Sequence, residues 1–252
     1  MPAVKALLLF IASLFIYLQP IKAEVITLAS SQYYPYYAAD LPQQGAVSEL
    51  IRQAFLLQGV QIHIEFMPFA RALRDSQQAN YVGLIAAWYS DERAEHFYYS
   101  QPLYANYMVF FKRRAQPIHF TDYKDLVRQR LRLGLVQGYL PLQGLMQHQP
   151  AHINVATDEQ AFKMLALGRV DLVPADKLNG QYLIAEKLPE YLGQLEAISP
   201  ALELRPLYLL LSKKDPRAEA LMQRFNNGLE ELRRSGQYQQ ILQQLLPEAV
   251  QH

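Results

Sequence analysis

Two apolar, β-prone segments, residues 107–111 and 206–211, each run into basic residues, Lys112-Arg113-Arg114 and Lys213-Lys214. One β/α alternation precedes the first segment, and another of similar size lies between the two. Read as a pair of crossing strands, they make the middle of the chain an insertion. The chain then forms two lobes, not one long sheet, and returns to the first lobe at its end.

The local patterns support this division. Residues 25–29 read as a short strand, and residues 30–40 as a polar and aromatic loop. Val47, Leu50, Ile51, Ala54 and Phe55 follow helical spacing up to Gly59, and residues 61–66 alternate as a strand. This βαβ unit predicts a parallel sheet. Pro68 starts a second helix, and residues 82–87 form another strand. In the second series, residues 131–136 and 153–156 read as strands, with Gly138 and Pro141 opening a helix between them. Thr157 and Gln160 form a capping box for a helix that carries Phe162 and Leu165 inward and stops at Gly168. Residues 170–173 follow as a strand. Leu221, Phe225, Leu229 and Leu232 form one helical stripe, and Ser235-Gly236 separates it from a last helix with Ile241, Leu242, Leu245 and Leu246.

Composition narrows the class. The chain opens Met-Pro-Ala-Val-Lys5, continues with an apolar run over residues 6–18 and reaches a small residue, Ala23, which describes a cleavable secretory leader of residues 1–23. The run is shorter than the roughly 20 residues a membrane span needs. Without Lys5 and Lys22 the charge is 22 basic against 23 acidic residues, which leaves no electrostatic footprint for nucleic acid. With no cysteine, disulfides, thiolate metal sites, thiol nucleophiles and a lipidated N-terminal cysteine are excluded. The six histidines show no metal-binding arrangement, since His148 and His152 are interrupted by Pro150. No cofactor fingerprint appears either.

The most specific stretch is residues 90–104. Ser90, Asp91 and Glu92 carry the signature of a helix N-terminus, and Arg93 follows at once. An aromatic Ser-x-Pro approach, Phe97 to Tyr104, closes it. This segment resembles the (S/T)-x-E-R…F-S-x-P-Y segment of the family 3 periplasmic solute-binding proteins, which include polar amino acid receptors. Residues 225–241 look very like that family's closing F-N-x-x-L-x-x-L-x-x-S-G-x-Y-x-x-I pattern. The resemblance implies an α/β, two-lobed periplasmic-binding-protein type II fold, each lobe a central sheet flanked by helices, with two crossing strands between them. It places lobe 1 at residues 24–108 and 207–252 and lobe 2 at residues 109–206.

The resemblance also implies a site. A zwitterion held between lobes needs a cation, an anion and an apolar or aromatic platform. Arg93 corresponds to the arginine that holds the ligand carboxylate, and its alternative role is a structural ion pair. Asp176 ends a run like G-R-(I/V)-D-x-x-x-x-D, whose later acid meets the ligand amino group; otherwise it caps a helix over residues 177–186. Tyr34 and Tyr36, from the loop 33–37, offer an aromatic wall, and Arg71 a second cation or a solvated helix face. Trp88 is either an aromatic floor or core. The chain departs from amino acid receptors at Ala86 and Trp88, where hydroxyl residues are usual, and at Tyr139 and Leu140 after Gly138.

A periplasmic solute-binding protein for an ABC importer is the function this implies: a monomer that closes on a small polar, amino-acid-like or carboxylate-bearing solute. It needs no catalytic residue, metal or cofactor, and its expected partner is an inner-membrane ABC permease. The alternatives are an orphan receptor for a signalling partner and a cyclohexadienyl-dehydratase-like enzyme, although no general acid is identifiable. Arg93→Ala is expected to abolish carboxylate binding while sparing the fold.

Overall fold

The computed structural model describes residues 24–246, so the expected leader lies outside the described residues. The chain runs β1 (Glu24–Ser30), α1 (Ala46–Leu57), β2 (Val60–Phe66), α2 (Phe69–Gln77), β3 (Gly83–Trp88), α3 (Asp91–His96), β4 (Phe97–Tyr99) and β5 (Tyr104–Arg113). It continues with α4 (Lys124–Arg128), β6 (Leu133–Val136), β7 (His152–Val155), α5 (Asp158–Ala166), β8 (Val173–Asp176) and α6 (Lys177–Tyr182). The last elements are β9 (Leu195–Ala197), β10 (Glu203–Ser212), α7 (Ala218–Ser235) and α8 (Gln237–Leu245).

The main sheet has the order β2-β1-β3-β10-β5-β8. β1 pairs in parallel with both β2 and β3, as the βαβ pattern requires. The two long strands divide the sheet. The first half of β5 pairs antiparallel with β10 over Tyr104–Met108 and Glu203–Leu207. The far half of β10 then joins β3, while the far half of β5 joins β8 and β9. The pair therefore runs from one lobe into the other, and β6 and β7 add a small parallel sheet to the second lobe.

Burial follows the sequence stripes. Val47, Leu50, Ile51, Ala54 and Phe55 of α1 are buried, as are Leu221, Phe225, Leu229 and Leu232 of α7. The Phe55 and Phe225 rings meet at 5.0 Å. In the second lobe Phe111 and Phe162 pack at 5.0 Å among Val109, Leu165 and Val173.

Four local expectations change. No α-helix opens at Gly138 and Pro141: Gly138 is left-handed with φ +85°, and Arg205 instead holds the Leu140 and Pro141 carbonyls at 2.7 and 2.6 Å. The strand expected over residues 170–173 lies at β8, where Pro174 is tolerated because β8 is an edge strand. The helix expected to run to residue 186 is α-helical only to Tyr182, after which Leu183–Lys187 form a π-turn. Thr157 accepts from the Gln160 N–H as expected, but the Gln160 amide oxygen accepts from Ala156 N–H, one residue before the position a capping box would use.

Candidate functional site

The short helix α3 delivers Arg93 to the boundary of the lobes. Ser90 caps it by accepting from Arg93 N–H at 3.2 Å, with Asp91 and Glu92 in the favourable first turn. Arg93 is only 6% exposed. Its Nη1 donates to the Trp88 carbonyl at 2.9 Å and its Nη2 to the Gly138 carbonyl of the second lobe at 2.7 Å. The guanidinium stands 5.4 Å from the centre of the Phe69 ring. Burial lowers its pKa, and its guanidinium contacts two neutral oxygens and an aromatic face.

Tyr139 fills the space in front of Arg93. Its ring meets Tyr33, Phe69 and Trp88 edge-on at centroid distances of 6.1, 5.0 and 5.6 Å. Beside these rings, Ala86 and Arg93 line a residual void of only about 20 Å³. Where a serine or threonine would have offered a hydroxyl, the chain has a methyl group and an aromatic plug. The Tyr139 hydroxyl donates to Asp158 Oδ2 at 2.8 Å. Burial pushes the Asp158 carboxyl up to about 6, against the opposing effect of the Tyr139 bond.

Asp176 ends β8 and caps α6. Its Oδ1 accepts from Tyr36 Oη and Asn179 N–H, both at 2.8 Å, and its Oδ2 from Tyr107 N–H at 2.9 Å. Burial raises its pKa. The capping role is thus filled, and Tyr36 is committed to it from the first lobe. Trp88 is buried, donates Nε1–H to Asn106 Oδ1 at 2.9 Å and carries the Arg205 guanidinium 4.8 Å from its ring centre. Tyr34 stacks on Tyr182 of the second lobe at 5.4 Å. Arg71 is turned to solvent, 3.4 Å from Asp75, and is not part of the cleft lining.

On the other side of Tyr139 lies a chamber of about 370 Å³, within the range of small-molecule sites. The first lobe contributes Ser31, Gln32, Tyr34 and the stretch 66–69; the second contributes Val136, Tyr139, residues 156–159, Asn179 and Leu183. Of the residues expected at the site, Tyr34 alone lines this chamber, whereas Arg93 and Trp88 lie behind Tyr139. Asp158 and Asn179 were not singled out as ligand contacts in the sequence. The available signal was an acid at the start of α5, directly after a strand of the second lobe.

Residues 25–248 match the sequence profile of the bacterial extracellular solute-binding proteins, family 3. No curated protein sequence matches the chain. Among solved structures, a mutant of ArgBP from T. maritima superposes with a TM-score of 0.75 at 20% identity, covering 88% of this chain and 94% of that one. A histidine kinase sensor domain with similarity to periplasmic binding proteins gives 0.77 at 21% identity, over 88% and 96% of the two chains. The GluR0 ligand-binding core from Nostoc punctiforme, in complex with L-glutamate, gives 0.72 at 18% identity, over 88% and 99%. At these identities the likeness establishes the two-lobed fold.

Proposed function

The chain belongs to the family 3 bacterial extracellular solute-binding proteins, and from that membership we propose that it captures a small polar, amino-acid-like or carboxylate-bearing solute by closure of its lobes. The observation that carries this reading is the chamber of about 370 Å³ whose walls come from both halves of the chain. Such a cavity exists only while the lobes are together, so a ligand touching both walls stabilises the closed form over the open one.

The lobes divide at residues 108/109 and 206/207, and β5 and β10 form the hinge. When the lobes part, Arg93 loses the Gly138 carbonyl, and its free N–H edge becomes the grip for an incoming carboxylate. The protein acts as a periplasmic monomer, exported by its leader, and hands its ligand to an ABC permease; we assign it no reaction. A second reading, a receptor that reports to a signalling partner, draws support from the likeness to a histidine kinase sensor domain.

A thermal-shift screen of residues 24–252 against amino acids, amines, small carboxylates and short peptides tests the proposal. A ligand at a hundredfold excess over its Kd adds about 2.7 kcal/mol, a clear rise in Tm. A well-folded protein that no solute stabilises would overturn it. With a hit in hand, copurification with a permease or with a membrane kinase separates import from signalling.

A further inference from the structure

Resting on the receptor reading, we infer that the cationic end of the ligand is a protonated amine received by Asp158 and Asn179 in the inter-lobe chamber, and not by Asp176. Asp176, the residue that the sequence resemblance assigns to an amino group, has no room for one. It is 1% exposed, and three protein donors already bind its two oxygens. An ammonium there would have to compete with the Tyr36 hydroxyl, the Tyr107 N–H and the Asn179 N–H that caps α6.

The chamber offers what Asp176 lacks. Asn179 donates its Nδ2 to the Tyr34 carbonyl at 2.7 Å, and a carbonyl can only accept, so the amide orientation is fixed. Its Oδ1 is consequently left buried with no hydrogen-bond partner. Unmet buried acceptors are rare in folded proteins, and this one belongs to a residue that lines the ligand-sized cavity, where a ligand donor could satisfy it. Asp158 lines the same cavity, with the Tyr139 hydroxyl as its side-chain donor and no lysine or arginine among the groups acting on its charge. Glu159 also lines it but is already paired with Lys163 at 2.6 Å, and among the described residues no basic side chain lines the chamber.

The remaining walls suit a cation with an apolar body. Phe66 and Tyr139 supply aromatic surface for the body of the ligand, while Tyr34 and Phe69 already carry Lys187 and Arg93 at their rings. An ammonium offers two or three N–H donors, which carboxylate and amide oxygens both accept. A carboxylate would bring only further acceptors to the same two groups. The chamber therefore selects for the amine.

Calorimetric titration at pH 7.5 with three matched probes tests this: phenethylamine, 3-phenylpropionate and phenylalanine. Phenethylamine and phenylalanine are expected to bind, phenethylamine at least tenfold tighter than 3-phenylpropionate. Asp158→Asn retains an acceptor for Tyr139 and leaves Thr157 as the cap, yet should weaken phenethylamine at least tenfold. Equal affinity of wild type for phenethylamine and 3-phenylpropionate would overturn the inference, independently of any variant. So would an Asp158→Asn protein of unchanged circular dichroism that binds phenethylamine as wild type does. If none of the three probes binds, the amine assignment fails, while the receptor reading is decided separately by the broad solute screen.

Discussion

The Tyr139 hydroxyl donates a 2.8 Å hydrogen bond to Asp158 Oδ2, and this bond holds the Tyr139 ring edge-on against Tyr33, Phe69 and Trp88 of the opposite lobe. A carboxylate is stabilised in its charged form by a donor, so the bond opposes the upward effect of burial on Asp158. Tyr139→Phe keeps the ring and removes the donor. The Asp158 midpoint should then rise above about 6, read from the pH dependence of its carboxyl carbon resonance. An unmoved or lowered midpoint would show that the hydroxyl does not support the charge.

The same carboxyl sets a direction for stability. Its pKa rises from 3.8 to about 6 on folding, so the folded state binds the proton more tightly than the unfolded chain. The resulting stabilisation is fully present below about pH 4 and is lost as pH rises through about 6. Over that window the single group amounts to roughly 3 kcal/mol. Other carboxyls, Asp171 among them, are lowered on folding and pull the opposite way. The difference between wild type and Asp158→Asn in urea unfolding from pH 4 to 7 isolates the contribution. A difference that does not vary with pH would refute it.

Arg93→Ala now carries a stability cost that the sequence did not reveal. The buried Trp88 carbonyl loses its donor, at about 1–3 kcal/mol, while the Gly138 carbonyl lies at an exposed residue where water can replace the bond. Urea unfolding should show that loss alongside abolished carboxylate binding. Arg93→Lys should recover part of the stability, since one ammonium can reach one carbonyl, but not a bidentate grip. A variant as stable as wild type would mean that the two carbonyl bonds contribute little.

How far the sequence reached depends on the distance over which each feature is encoded. Most strands of the first lobe, the α1 and α7 stripes, the Ser90 cap and the two crossing strands are local patterns of apolar spacing and turn chemistry, and they were legible, whereas the strand expected over residues 170–173 lies at Val173–Asp176. The fate of Tyr139 was not, because its ring packs on Tyr33, Phe69 and Trp88, between 51 and 106 positions earlier in the chain. Asp176 was ambiguous for a related reason. The helix cap is local, but the Tyr36 and Tyr107 donors that use up its oxygens come from distant segments.

Gly228 sits where α7 crosses α1, and a Cβ there would stand 2.0 Å from the Ala54 carbonyl oxygen. Replacing a helical glycine by alanine gains about 1 kcal/mol in propensity. Here the obstacle is main chain and does not rotate away, so the helices must separate and disturb the Phe55–Phe225 contact. A net loss of about 1–3 kcal/mol is expected for Gly228→Ala, measured by denaturant unfolding. A stabilised variant would show that the two helices yield at little cost.

An ion pair beside Tyr34 joins the two lobes. Lys187 Nζ of the second lobe donates to Asp40 Oδ2 of the first at 2.6 Å and stands 4.3 Å from the Tyr34 ring centre. Tyr34 itself donates to Asp40 Oδ1 at 2.6 Å. Both charged side chains are partly exposed, which limits the ion pair to about 0–1 kcal/mol, with a further ~0.5–1 kcal/mol from the ring. A latch of that size cannot hold the lobes against a free-energy gap of several kcal/mol, but it can shift the closed-to-open ratio by roughly twofold to thirtyfold. Lys187→Met keeps the aliphatic stem over Tyr34 while removing the charge. In unliganded protein it should increase the mean distance between fluorophores placed on the two lobes. Raising the salt concentration should open wild type and leave Lys187→Met nearly unchanged, because screening acts on the pair that the variant lacks. If both proteins show the same distance and the same salt response, the Asp40–Lys187 contact does not govern closure, and the packing of Tyr139 against the first lobe must hold the lobes together instead.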